Sequence, residues 1–149
     1  LEHAENLREV DAGTLVRAYV DKARCQATGS PAEIIARIDG VVVSTRLAMS
    51  LGIMANELVT NCLKHGCPPA ALDNGDTLKI TVGLRQRGDS VELSVADDGP
   101  GLPVEIIEGA RSGYGLSVVE TLARQHRGAM TLSGHGGCAV TVTAPVDRA

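Results

Sequence analysis

Residues 56–65, Asn56-Glu57-Leu58-Val59-Thr60-Asn61-Cys62-Leu63-Lys64-His65, gather carboxylate, amide, ammonium and imidazole groups in one short run. If the run is helical, Glu57, Asn61 and Lys64 fall within about 60° of one another. One face would then carry a carboxylate, an amide and an ammonium. Leu47, Leu51, Met54, Leu58 and Cys62 would form the neighbouring apolar face. Asparagine is a weak helix former, and its carbonyl oxygen suits a hard cation. The plainer alternative is a solvated helix face with a Glu–Lys contact.

A second group is Asp97-Asp98-Gly99-Pro100-Gly101, placed after the alternating apolar residues Val91, Leu93 and Val95. An acid at a strand end beside glycines suits a carboxylate that accepts a hydrogen bond from an exocyclic amine. The glycines let the main chain approach a flat ring. A surface turn would use the same residue types. A third group, Ser112-Gly113-Tyr114-Gly115-Leu116-Ser117, runs from Gly-x-Gly into an apolar-periodic segment. Free N–H groups and the helix dipole at such a start favour an anion, most naturally phosphate. A loop followed by an ordinary helix start is the competing reading. Neither the G-x-G-x-x-G of a dinucleotide fold nor a P-loop is present.

The order of these groups resembles the ATP-binding superfamily of gyrase, Hsp90, histidine kinases and MutL (GHKL, the Bergerat fold), over roughly residues 33–145. NELVTNCLKHG resembles its N box, DDGPGLP its first glycine box, and GYGLSVVETLARQHRGAMTLSGHGGCAVTVTAP its second glycine box with the helix and hairpin that follow. Within the superfamily the N-box wording is most similar to bacterial sensor histidine kinases of the HWE type. The resemblance implies that Asn61 ligates Mg²⁺ on the ATP phosphates and that Glu57 orients or deprotonates the nucleophile. It implies that Lys64 and His65 contact phosphate or ribose, and that Asp97 accepts from the adenine amine. Gly99 and Gly101 would shape the pocket. Gly113, Gly115 and Leu116 would form the hinge and phosphate-facing start of the helix. By the same resemblance Cys138 would stand near adenine where relatives often carry threonine, and a thiol is the weaker hydrogen-bonding partner. The segment between the glycine boxes, residues 102–112, is short, and without Phe or Trp neither an F box nor the tryptophan motif of the HWE type is present.

These residues need elements to hold them. Residues 4–28 predict a helix with Leu7, Val10, Leu15, Ala18 and Ala23 as its apolar stripe. Residues 33–38 and 41–43 read as strands of a hairpin turned at Asp39-Gly40. Ser44 or Thr45 caps a long helix reaching about Lys64, which Gly66 and Pro68-Pro69 close. Residues 77–85 and 91–95 alternate as a hairpin around Arg87-Gly88-Asp89. A helix from Leu116 to about His126 precedes a last hairpin, residues 129–133 and 139–144, turned at Gly134-His135-Gly136-Gly137. The expected fold is α+β: a two-layer sandwich with a mixed, mostly antiparallel sheet covered on one face by helices.

The chain has 149 residues, 44% hydrophobic, 17 of them glycine, with a net charge of −4 and two tyrosines as its aromatics. That suits one folded unit and argues against a nucleic-acid partner, which calls for a basic face or stacking aromatics. No apolar run is long enough to span a bilayer, so this segment is expected to make no membrane contact. Cys25, Cys62, Cys67 and Cys138 form no C-x-x-C pair, and Cys62, His65 and Cys67 make a poor zinc pattern.

The expectation is the ATP-binding domain of a histidine kinase. Residues 1–30 would be a helix that is the tail of, or a linker from, a dimerisation and phosphoacceptor domain, and residues 31–149 the catalytic part. Mg-ATP is the expected cofactor, and the dimerisation domain, which would make the full-length protein a homodimer, the expected partner. A response regulator would follow indirectly. The cytoplasm is the expected compartment, whether or not the full-length protein is membrane-anchored. His3, His65, His126 and His135 lack the surroundings of a phosphoacceptor, so the accepting histidine is expected elsewhere. The competing readings are a protein-serine kinase of the anti-sigma kind and a binding module that no longer takes nucleotide.

Overall fold

A computed structural model describes residues 8–26, 32–65, 78–99, 116–133 and 137–146. Their order is β1 (Glu9–Asp11), α1 (Ala12–Gln26), β2 (Ala32–Ile38), β3 (Val42–Ser44), α2 (Thr45–His65), β4 (Leu78–Arg87), β5 (Ser90–Asp97), α3 (Leu116–Gln125), β6 (Ala129–Ser133) and β7 (Cys138–Pro145). Five strands form one sheet in the order β2-β4-β5-β7-β6. The β2–β4 pair is parallel and the other pairs are antiparallel. β1 and β3 make a separate antiparallel ribbon.

Strict alternation sorts the sheet into a wet and a dry face. Leu78, Ile80, Val82 and Leu84 of β4, Val91, Leu93 and Val95 of β5, and Val140, Val142 and Ala144 of β7 are all buried. Their neighbours Lys79, Thr81, Arg85, Glu92 and Ser94 lie on the opposite, uncovered face. Over the dry face lie Ala12, Val16, Val20 and Ala23 of α1, Leu47, Leu51, Met54 and Leu58 of α2, and Leu116, Val119 and Ala123 of α3. This is the expected two-layer α+β sandwich, with its sheet covered on one face.

Arg87 pairs with Ser90 across a two-residue loop. Gly88 takes φ +59° at its first position, as a type II′ hairpin requires. Ser44 caps α2, its Oγ accepting from the Leu47 N–H at 3.1 Å. Arg127 ends α3 at φ +59°, with Gly128 N–H donating to the Ala123 carbonyl and Arg127 N–H to that of Arg124. That is a Schellman close with arginine in the place usually held by glycine.

Two expectations fail, both around Asp11. The opening helix begins at Ala12, because Asp11 Oδ1 accepts from the Gly13 N–H at 2.8 Å and caps it. Residues 9–11 are instead extended against β3. The buried stripe is accordingly Ala12, Val16, Val20 and Ala23, and Ala18 faces solvent. Asp39-Gly40 is not a hairpin turn either. Neither residue has the positive φ that a type I′ turn needs. Asp39 N–H continues the β2–β4 ladder onto the Leu84 carbonyl, and the Val41 N–H goes to Asp11 Oδ1 at 3.0 Å. A local turn signal loses here to two distant partners, β1 and β4.

α1 shares the core with α2. They approach closely at Gly52, where an added Cβ would lie 2.7 Å from the Tyr19 ring. Arg17 and Arg24 reach from α1 to the carbonyls of Ile38 and Ile34, at 2.6 and 2.8 Å.

Candidate functional site

The period of α2 places its polar residues as expected. Glu57 and Asn61 are half-buried and Lys64 is exposed, while Leu58 and Cys62 enter the core. α2 packs across β5. Cys62 is buried on the core side of α2. His65 is the last residue of α2; its side chain and Cys67 lie outside the described residues, as do Gly101, Gly113 and Gly115. Leu116, the first residue of α3, is 1% exposed and belongs to the core, so its main chain is what it offers to a ligand.

Asp97 lies at the far end of β5, two residues beyond Val95 and on the same helix-covered face. It is 9% exposed. Its Oδ1 accepts from the Gly99 N–H at 2.8 Å and from the Cys138 N–H at 3.4 Å. Among the described residues Oδ2 accepts no hydrogen bond, and no buried side-chain oxygen there is left unsatisfied, so Oδ2 is open. The next residue fixes the strand end: Asp98 N–H donates to the Lys79 carbonyl at 3.2 Å, and Lys79 N–H donates to Asp98 Oδ1 at 2.8 Å.

Cys138, the first residue of β7, pairs with Asp97 in the ladder and points to the same face. Burial, and then the Asp97 charge, push its thiol up from 9.0 to about 11. It stays protonated at neutral pH, a weak donor beside an acceptor. Gly137 precedes it at φ +120°, where a Cβ would fall 2.1 Å from the Asp97 carbonyl oxygen. From sequence alone Gly137 is one residue of the expected turn over residues 134–137. The only signal for this approach was the run of glycines itself.

The donor set suits the groups expected. Asn61 and Glu57 offer oxygen ligands one helical turn apart, few enough for Mg²⁺, which keeps waters and takes substrate oxygens. Asp97 offers one open carboxylate oxygen to an amine. The sequence profile described as histidine kinase-, DNA gyrase B- and HSP90-like ATPase matches residues 47–148, most of the chain and every described part of this site. The chain belongs to this ATPase family.

This ATPase-family chain is 30% identical to the sensor histidine kinase TrcS of Mycobacterium tuberculosis, over 62% of its own length and 21% of TrcS. It thus spans about a fifth of that relative. The histidine kinase domain of the blue-light activated histidine kinase of Erythrobacter litoralis EL346 superposes with a TM-score of 0.79 at 19% identity, covering 92% of this chain and 62% of that one. The catalytic domain of histidine kinase ThkA gives 0.77 at 18% identity, covering 94% and 95%. The shared fold is therefore that of histidine kinase catalytic domains.

Proposed function

We propose that this domain binds Mg-ATP and hands the γ-phosphoryl group to a histidine outside residues 1–149. The observation that carries the reading is Asp97: nine-tenths buried, one oxygen held by the main chain, the other open, on the face that α2 crosses. Asp97 accepts from the adenine amine, beside Gly99, Gly101 and Cys138. Asn61 holds the Mg²⁺, which when bound neutralises charge on the phosphates. Lys64 and His65 contact phosphate or ribose, and Gly113, Gly115 and the Leu116 main chain receive the phosphates at the start of α3. Glu57, one turn before Asn61, orients the accepting imidazole and takes its proton.

The accepting histidine belongs to a dimerisation domain, which makes the full-length protein a homodimer in the cytoplasm, whether anchored or not, with a response regulator downstream. Residues 1–30 carry the junction toward that domain, and the wording of the N box supports a kinase related to the HWE type. Calorimetric titration of a non-hydrolysable ATP analogue with Mg²⁺ tests the site. Wild type should bind, and Asn61→Ala and Asp97→Ala should each bind at least about ten-fold more weakly. Equal binding by all three proteins would sink the proposal. Transfer from labelled ATP to a dimerisation domain should give acid-labile phosphate; acid-stable phosphate would point to serine instead.

A further inference from the structure

The main chain around Asp97 is more constrained than a carboxylate at a strand end needs to be. Gly137 is buried, with φ +120°, a region that L side chains rarely adopt. A Cβ there would lie 2.1 Å from the Asp97 carbonyl oxygen and 3.1 Å from both the Asp97 carbonyl carbon and Asp98 Cα. All three are backbone atoms, locked by the β4 ladder through Ile80 and by the Asp98–Lys79 exchange. They have nowhere to go. The bare Gly137 therefore sets how closely β7 meets β5, and so how near the Cys138 N–H comes to Asp97 Oδ1. The Gly99 N–H reaches the same oxygen from the other side of Asp97.

We propose that Gly137 is a positioning residue that fixes the orientation of the Asp97 carboxylate, leaving Oδ2 as its single, directed acceptor for a 6-aminopurine nucleotide. The inference rests on the nucleotide reading above and adds what sets base selectivity. An oxygen taking two N–H groups has no capacity for a second ligand donor, so a 2-amino-6-oxo purine, which presents two donors, finds one acceptor. The lock also dictates what a substituted side chain can do. In Asp97→Asn the amide oxygen must stay facing the Gly99 and Cys138 N–H groups, because an NH₂ there would meet two donors. The NH₂ is forced into the place of Oδ2, and the site turns from an acceptor into a donor.

The test is equilibrium binding of ATP, ITP and purine riboside triphosphate, each with Mg²⁺. The last lacks the 6-substituent. Wild type should prefer ATP to either by roughly ten-fold or more, the worth of one hydrogen bond to a charged acceptor. Asp97→Asn should invert the order and prefer the 6-oxo nucleotide, ITP. Gly137→Ala should weaken ATP at least about ten-fold while leaving purine riboside triphosphate within about two-fold. A general loss of structure would weaken both alike and overturn the role of Gly137. If Asp97→Asn loses ATP and ITP equally, the fixed orientation is wrong even if Gly137→Ala does not fold. Wild type that binds all three equally overturns this inference alone; wild type that binds none overturns the nucleotide reading as well.

Discussion

Cys138 offers a way to read the electrostatics of the site without any ligand. Its thiol is raised from 9.0 to about 11 by burial and then by the negative charge of Asp97. Only the thiolate reacts with iodoacetamide. At pH 8 about a tenth of a thiol titrating at 9 is ionised, against about a thousandth at 11, so Cys138 should alkylate about a hundred-fold more slowly than an ordinary thiol. Peptide mass spectrometry follows Cys138 separately from Cys25, Cys62 and Cys67, and the same peptide in urea supplies the reference. Hindrance slows the native reaction at every pH alike, so the profile isolates the ionisation. The native rate should climb ten-fold per pH unit through pH 10, while the urea rate levels near pH 9. Asp97→Asn removes one of the two causes and should speed the native reaction several-fold without restoring the urea rate, since burial remains. A native profile that levels near pH 9, or an Asp97→Asn profile superimposable on wild type, would refute the placement of thiol and carboxylate side by side.

Other perturbations test the frame that holds the site. Asp11→Ala removes the α1 cap and leaves the N–H of buried Val41 without its acceptor. Urea unfolding should show a loss of about 2–4 kcal/mol, with Asp11→Asn losing under about half as much. Gly52→Ala gains helix propensity but drives a methyl against the Tyr19 ring. It should destabilise by about 1–2 kcal/mol in wild type, and a Tyr19→Ala background should abolish that loss in a double-mutant cycle. Leu51→Ala, at a fully buried position on the core side of α2, should cost about 2–5 kcal/mol. Burial works against Glu92 ionising, but hydrogen bonds from Arg85 and Arg87 outweigh it and hold its pKa below 4.5. Its contribution, at most about 1 kcal/mol, is therefore present above pH 4.5 and lost on acidification below it, and Glu92→Gln should flatten that part of the profile.

What could be read from sequence followed the range of the interactions. The β4–β5 hairpin announces itself, because alternation and a two-residue glycine turn are both local. α2 does likewise through its 3.6-residue period and Ser44. The placement of the candidate residues Glu57, Asn61 and Asp97 on these elements was legible for the same reason. β1, the β2–β4 parallel pairing and the role of Asp11 were not. Each depends on a partner about thirty or more residues away, and Asp39-Gly40 looks like a hairpin turn to any reading confined to its neighbours. Gly137 is the same problem within the site. Its glycine was visible, but the Asp97 carbonyl that demands it lies forty positions earlier.

The two arginines of α1 carry a consequence for whether the open edge of the sheet can pair with another strand. β2 is an edge of the sheet, and an open edge is a template on which another strand can add. Arg17 and Arg24 occupy its outward carbonyls at Ile38 and Ile34, leaving Ala36 between them. A shortened chain starting at residue 31 would lose both guanidinium groups together with the Val16 and Val20 cover over the core. It would present β2 to solvent as a bare edge strand. Such a fragment should self-associate edge to edge, so α1 serves solubility as much as stability, and Arg17→Ala/Arg24→Ala should raise aggregation more than it lowers the unfolding free energy.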